Sequence, residues 1–490
     1  MIKSILIANR GEIACRIIRT AKKLGIKSYV IYSTEDESSL AVKLADKAFL
    51  LESTCSEKKE YLDGEQIISI AQKNKIEAIH PGYGFLSENS NFAKLVEDTG
   101  IKFIGPPYKA IEIMGDKIIS KKHAKNIDVS TIPGLQDEIK SYEDAIKAAD
   151  KIGFPLMIKA SAGGGGKGMR IVYEKKELKD KFKSAKNEAE TSFGDSRVFI
   201  EKFIEEPRHI EIQIVGDQFG NYLHLGERDC SIQRRNQKII EESPSPFIDT
   251  KIRDLMAGQA IALAKSVNYF SAGTVEFIVD KNKDFYFLEM NTRLQVEHPV
   301  TEMVTGIDLV EMMIRIASKE KLNLKQSEIS FSGSAIEARV YAEDPARDFM
   351  PSAGRLIKYK SPEQFSSKSE IIRNDTGVFE GSTISLHYDP MISKLCAWSE
   401  KRDKTIDLLI NAINKFSIDG IKNNLNFLSA ILINKNFNKG TFSTKFLEME
   451  YPNGFKSYQL NKNELYKLSA AVLAIHKNYE ILTQTDEKTI

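Results

Sequence analysis

Cysteine is scarce in this 490-residue chain. Its four cysteines, Cys15, Cys55, Cys230 and Cys396, lie far apart with no paired spacing. That excludes a disulfide framework and a cysteine-based zinc site, and it points to reduced thiols in a cytosol-like compartment. Long hydrophobic runs are missing too: no apolar stretch reaches the roughly 18 residues that span a bilayer. Ser4-Ile-Leu-Ile-Ala8 is too short for a signal core and flows directly into structure, so no leader is expected. A surplus of one charge is also lacking. Seventy Lys and Arg against 68 Asp and Glu leave a net charge of +2, which gives no reason to expect nucleic acid or a membrane as partner. The expected location is cytoplasmic, or the mitochondrial matrix if a transit peptide has been removed. Internal repeats and low-complexity linkers are absent. What remains, 42% hydrophobic and 28% charged, is the composition of a globular protein whose length suggests about three domains.

The first region reads as β-α-β. Residues 4–8 and Tyr29–Tyr32 are strand-like, and between them a helix runs from about Glu12 to Leu24, stopped by Gly25. Ala78–His80 and Phe103–Ile104 continue the pattern, which predicts an open parallel sheet. The first turn, Asn9-Arg10-Gly11-Glu12, has one glycine where a dinucleotide fingerprint needs three, so an NAD site is rejected. Residues from about 115 to 330 carry the chemistry. A helix over Ala145–Ile152 and a strand over Phe154–Lys159 lead into the glycine run Gly163–Gly168 and then a strand over Met169–Tyr173. From about 333, strand-like segments at Ser334–Ala342 and Arg355–Lys360 and a helix over Arg402–Phe416 suggest an α+β domain closing near 446.

Four constellations stand out. Phe285–Glu297, read as one extended strand, places Glu289, Asn291, Arg293, Gln295 and Glu297 on one face. Two carboxylates, two amides and a guanidinium in a row suit a metal ion beside a small anion. Gly273–Asp280 reads as a strand with Glu276 at its middle. A hairpin at 281–284 then brings Glu276 near Glu289, an oxygen-rich magnesium site with Asn291. The glycine run can wrap phosphates with its backbone N–H groups. It is not a Walker A loop, because Ser161 and Gly168 stand where Gly and Ser or Thr are needed. Lys117 and Lys159 gain interest only beside it. Glu227–Lys238 is rich in donors suited to anions, although read alone it is equally a solvated loop. His80–Asn89 is a glycine-rich turn at the carboxyl end of a strand, where open α/β sheets bind ligands; His80 itself is given no chemistry.

Together these segments resemble the biotin carboxylase component of biotin-dependent carboxylases, a branch of the ATP-grasp superfamily. The match rests on Ile7–Ile13, His80–Asn89, Lys159–Met169, Glu227–Gln233, Glu289–Pro299 and Tyr388–Ile392, and it runs from residue 2 to about 446. The resemblance implies an α/β and α+β fold in four parts. These are an N-terminal open parallel α/β domain (1–114), a central ATP-grasp domain (115–332) with a mobile glycine-rich lid at about 134–205, a C-terminal biotin carboxylase domain (333–446), and the start of a partner-docking segment (447–490). It also implies a reaction in which MgATP (or its manganese form) activates bicarbonate to carboxyphosphate, whose CO2 passes to N1′ of biotin. By matching position, Lys117, Lys159, Gly164, Gly165, Gly166, Lys167, Gly168 and Met169 hold ATP. Glu201, Lys202 and Ile204 meet adenine, and His209 and Gln233 meet the ribose. Glu276, Glu289 and Asn291 bind the metal. Arg293, Gln295 and Val296 hold bicarbonate beside Lys238, and Glu297 is the base. Arg339 stabilises the biotin oxyanion, with Tyr83 on the substrate side.

Within the family, Asn236 in the run Arg-Arg-Asn-Gln-Lys resembles the propionyl-CoA carboxylase α subunit. So do Ser443–Leu447 and Tyr451–Lys456. Acetyl-CoA and methylcrotonyl-CoA carboxylases stay open as alternatives. The chain shows no Ala-Met-Lys-Met biotinylation signature. The expectation is therefore either a truncated form or a carrier on another polypeptide. Leu465, Leu468, Val472 and Ile475 form an apolar helical stripe, which fits docking to a carboxyltransferase β subunit within a larger hetero-oligomer. Two competitors remain: another ATP-grasp ligase of the carbamoyl-phosphate or purine-pathway kind, and a non-catalytic nucleotide-binding scaffold.

Overall fold

The structure, a computed structural model, describes residues 1–52, 60–135, 137–162, 168–456 and 460–486, with the last helix described by its backbone alone beyond Tyr479. Most of the glycine run, Gly164, Gly165, Gly166 and Lys167 included, and Cys55 lie outside the described residues.

Strands β1 (Ser4–Ile7), β2 (Lys27–Tyr32), β3 (Lys47–Leu50), β4 (Ala78–His80) and β5 (Lys102–Phe103) form an all-parallel sheet in the order β3-β2-β1-β4-β5. Its central strand shows no alternation because helices cover both faces: Ile5, Leu6 and Ile7 are all fully buried. The helix Gly11–Lys23 follows β1, and Gly25 turns the chain out of it at a φ of +70°. Asn9 ties two turns together, its Nδ2 donating to the carbonyls of Pro81 and Tyr83 at 2.7 and 2.8 Å. The carboxyl ends of β1 and β4 are thereby knitted into one rim.

A second sheet holds β6 (Gly134–Leu135), β7 (Leu156–Ala160), β8 (Arg170–Val172) and β9 (Val198–Lys202) in the order β6-β9-β7-β8. The helices Tyr142–Ile152 and Leu178–Phe193 bury Ala145, Ala148, Phe182 and Ala185 with its apolar side chains. Gly168 is required where β8 approaches β7, because a Cβ there would sit 2.7 Å from that of Ala160.

The third sheet positions the site. Strands β10 (Arg208–Gly216), β11 (Tyr222–Arg234), β12 (Gln237–Ser243), β13 (Ser271–Val279), β14 (Phe285–Asn291) and β15 (Ser334–Tyr341) join Met391–Ser399, Glu370–Thr376 and Phe365–Ser366. Their order is β14-β13-β10-β11-β12-β15, then those three strands as named. This sheet runs through residue 332, where the sequence suggests a change of domain. The pairing of β12 with β15, Ile240 opposite Ala338 and Glu241 opposite Glu337, joins segments about a hundred residues apart, and no local pattern announces it. The helices Arg402–Lys415 and Leu425–Leu432 close a core over the far end.

Three local expectations are corrected. Phe285–Glu297 is not one strand: β14 ends at Asn291, and Glu297 stands just before the helix His298–Thr305 without a side-chain capping bond, the first turn taking Pro299. Glu227–Lys238 is not a solvated loop but the hairpin of β11 and β12, turning at Arg235 and Asn236 with φ of +51° and +65°. Arg355–Lys360 splits into two short strands with different partners. At the end of the chain, the helix Lys462–Asp486 leaves Leu465, Leu468, Val472 and Ile475 more than half exposed. Among the described residues no helix is long and apolar enough to cross a membrane.

Candidate active site

Alternation in β10 and β13 separates two faces of the nine-stranded sheet. Ile210, Ile212, Ile214, Val275, Phe277 and Val279 enter an apolar core beneath the helix Thr250–Ser266. His209, Glu211, Gln213, Thr274 and Glu276 point the other way, yet all five are buried. On that side Thr301, from the helix His298–Thr305, accepts from Arg228. A charged sheet face lies inside the protein.

Lys238, on β12, is the hub of this face. Its Nζ donates to Glu211 at 2.6 Å, to Glu276 at 2.9 Å and to Glu297 at 2.6 Å. Burial opposes its charge, but the three carboxylates outweigh burial and push the ammonium well above its ordinary range. Burial alone would raise Glu297; Lys238, Arg339 and Arg228 together hold it below the usual carboxylate range. Glu297 uses both oxygens, one on Lys238 and the other on Arg339 Nη2 at 2.9 Å. Arg228, fully buried on β11, donates to Glu211, Gln213, Thr274 and Thr301 at 2.5–3.0 Å.

Toward β14, Glu276 and Glu289 stand directly opposite one another across the antiparallel pair. Asn291 Nδ2 and Gln295 Nε2 both donate to Glu276, at 2.8 and 3.0 Å. Arg293 donates to Asn291 Oδ1 at 3.0 Å, to Gln295 Oε1 at 2.8 Å and to Glu88 at 2.8 Å. The five residues grouped by alternation therefore do converge, although through a strand end and a turn rather than one strand face.

Lys117 reaches Glu289 at 2.9 Å. Lys159 and Lys121 share the buried carboxylate of Glu201. Burial lowers Lys121 to about 8, Glu201 opposes that, and the charges of Lys159 and Lys117 add to the lowering. Three ammonium groups thus gather between β7, β9 and β14. Lys202 donates to the Phe154 carbonyl at 2.9 Å, and Ile204 is half-buried just past β9. Gln233 donates to His209 Nδ1 at 2.9 Å, while His209 Nε2 lies 2.9 Å from Glu276. Burial opposes a charge on His209, but Glu276 raises it above its ordinary value. Gly168 donates its N–H to Glu188, and the Met169 carbonyl accepts from Arg170 at 2.8 Å. The Val296 carbonyl accepts from Lys394 at 2.6 Å. Lys394 also pairs with Glu12, to which the Tyr83 hydroxyl donates.

The donor set fits a hard cation with phosphates. Glu276 and Glu289 offer carboxylate oxygens across one strand pair, Asn291 adds an amide, and Lys117 reaches Glu289. Among the described residues two tighter groups, His209-Glu211-Glu276 and Glu211-Cys230-Glu297, bring potential metal ligands within 4.8 Å. Lys238 contacts the carboxylates of both, so an ammonium already supplies their positive charge.

Residue-by-residue reading of the sequence missed Glu88, Lys121, Glu211, Arg228 and Glu241. For Glu211 a signal was available: Ile210, Ile212 and Ile214 alternate with His209, Glu211 and Gln213, a strand with one apolar and one polar face. Lys121 and Glu241 carry no such mark.

The sequence matches three family models. They are the biotin carboxylase N-terminal domain over residues 1–111, the carbamoyl-phosphate synthase L chain ATP-binding domain over 116–325, and the biotin carboxylase C-terminal domain over 337–449. The propionyl-CoA carboxylase alpha chain of Ruegeria pomeroyi is 51% identical over 98% of this chain and 73% of its own length. The human mitochondrial propionyl-CoA carboxylase alpha chain is also 51% identical, over 98% of this chain and 65% of its own. This chain thus spans about two-thirds of the human relative. Among solved structures, the biotin carboxylase domain of Hydrogenobacter thermophilus 2-oxoglutarate carboxylase, a dimer in complex with MgADP, ADP and bicarbonate, superposes with a TM-score of 0.89. It is 45% identical, and the match covers 94% of this chain and all of that one. Campylobacter jejuni biotin carboxylase gives a TM-score of 0.88 at 44% identity, covering 92% and 99%.

Proposed function

The chain belongs to the biotin carboxylase family, and from that premise we propose that it performs the ATP-dependent carboxylation of biotin within an acyl-CoA carboxylase of the propionyl-CoA type. The observation that carries this reading is Glu297. One carboxylate bridges Lys238, beside the bicarbonate residues, and Arg339, on the acceptor side. A base so placed can take a proton from bicarbonate while touching the cation that serves the second substrate.

Arg293, Gln295, Lys238 and the Val296 backbone hold bicarbonate, and the guanidinium supplies the positive clamp an anion needs. Glu297 accepts its proton, and the freed oxygen attacks the γ-phosphorus of ATP as the bond to ADP breaks. Lys117 and Lys159 hold the phosphates in line for that transfer. Glu276, Glu289 and Asn291 hold magnesium, which when bound neutralises charge on the transferring group. The carboxyphosphate so formed breaks to phosphate and CO2. Arg339 stabilises the negative charge that develops on the ureido oxygen of biotin as N1′ gives its proton to the released phosphate and bonds to CO2. Met169 and the glycine run hold the ATP phosphates, Glu201, Lys202 and Ile204 frame adenine, His209 and Gln233 face the ribose, and Tyr83 lines the acceptor side.

On this reading the chain divides at about 114, 332 and 446, with a lid at about 134–205 and a partner-docking segment from 447. Its partners are a biotin carrier domain and a carboxyltransferase subunit. The family and the exposed stripe Leu465-Leu468-Val472-Ile475 support that assembly. The test is ATP hydrolysis by the purified chain with magnesium and bicarbonate, with and without free biotin. Bicarbonate-dependent, biotin-stimulated turnover is expected. Turnover indifferent to both would sink the reading and favour another ATP-grasp ligase.

A further inference from the structure

Arg339 has a second partner besides Glu297. Its Nη2 also meets the carboxylate of Glu241, a β12 residue with no exposure. Glu241 lies directly opposite Glu337 on β15, and Glu337 is fully buried as well. Two carboxylates side by side in a medium of low dielectric cannot both stay ionised. The cations nearby divide unevenly between them. Among the described residues Arg339 forms an ion pair with Glu241, although neither Glu241 oxygen accepts a hydrogen bond, whereas Glu337 accepts a thiol contact from Cys396 at 3.4 Å, is attracted by Lys394 without an ion-pair contact, and has no hydrogen-bond partner at its other oxygen. Glu337 is therefore the member that carries the proton, and Glu241 is the anion facing Arg339.

This arrangement fixes the guanidinium. Glu297 pulls it from the reaction side, and Glu241 holds the same nitrogen from the strand behind. The β12–β15 pairing sets the spacing between anchor and cation. We propose that Glu241 is a positioning residue for biotin, holding Arg339 at the acceptor side while Glu297 exchanges its proton, with Glu337 as the neutral partner that makes one buried anion tolerable there. Burial pushes Glu241 up to about 7, against the pull of Arg339, and pushes Glu337 well above the ordinary carboxylate range, so Glu241 is the first of the pair to ionise. The inference rests on the reading of Arg339 as the residue that meets biotin.

The test uses the full chain and free biotin as acceptor. In E241Q the KM for biotin should rise about tenfold, a modest share of what breaking a buried ion pair costs. The KM values for ATP and bicarbonate, and any ATP hydrolysis measured without biotin, should stay within about twofold. E241D keeps the charge and retracts it, so it should fall between E241Q and the unaltered chain. If E241Q does not fold, a selective rise in the biotin KM of E241D carries the test alone. Equal changes for all three substrates would mark a merely structural role and overturn the proposal. An unchanged biotin KM would overturn it too. If the unaltered chain shows no biotin-stimulated turnover, the proposed function itself fails, and this inference with it.

Discussion

The two faces of the nine-stranded sheet are built from the same strands and buried to the same degree, yet different physics holds each. Ile210, Ile212 and Ile214 of β10 lie in an apolar core, where stability grows with area removed from water and any side chain of similar volume serves. Their neighbours His209, Glu211 and Gln213 face Lys238, Arg228 and Glu276. There each group is tolerable only because a particular partner sits within hydrogen-bond distance. The first face makes the sheet; the second makes it selective about what may enter.

That contrast can be broken at four points. The largest effect is expected for E297Q. Removing the carboxylate that bridges Lys238 and Arg339 should lower biotin-dependent turnover about 10²–10⁴-fold, while ATP binding measured by calorimetry persists. Next, R228M removes a fully buried cation and strands Glu211. Chemical denaturation should show a loss of about 3–5 kcal/mol, with catalysis damaged as well. On the opposite face, I212A should cost about 2–4 kcal/mol and leave kcat of the folded protein close to normal. Equal loss of kcat in I212A and R228M would dissolve the distinction between the faces.

The smallest effect concerns pH. Glu297 is held below the ordinary carboxylate value of 4.5, so its contribution is present above that value and lost as pH falls. Glu241 is raised to about 7, so its contribution is complete below 4.5 and lost as pH rises through 7. Between those limits the Glu241 share should decline by at most about 1.4 kcal/mol per pH unit. Urea unfolding midpoints from pH 5 to 7 should therefore fall in the unaltered chain and in I212A alike, and fall less steeply in E241Q, where Glu337 still contributes. A slope unchanged in E241Q would place the titration elsewhere.

Much of the architecture was legible beforehand. The parallel sheet, the helix Gly11–Lys23 with its Gly25 stop, and the hairpin that pairs Glu276 with Glu289 follow from apolar runs, a glycine of positive φ and a short polar turn. These signals act within about thirty residues, where sequence spacing and spatial neighbourhood coincide. The grouping of Glu289, Asn291, Arg293, Gln295 and Glu297 was also visible, but for a geometrical reason that did not survive. Past Asn291 the chain leaves the sheet, and it is the turn before Pro299 that carries Glu297 toward Lys238.

What the chain determines by itself is thus its local grammar: which segments alternate, where they stop, and which polar types are present in quantities a core would not tolerate. Only the tertiary structure decided that these polar groups are buried together. Lys238 meets Glu297 across 59 positions, Arg339 meets Glu297 across 42, and Arg228 meets Thr301 across 73. A charge is affordable in the interior only when its counter-charge arrives from elsewhere in the chain, and that arrival is set by how β12 and β15 pair within one sheet. Local propensity carries no information about that pairing, because its stabilisation comes from contacts that exist only after the distant segments have met.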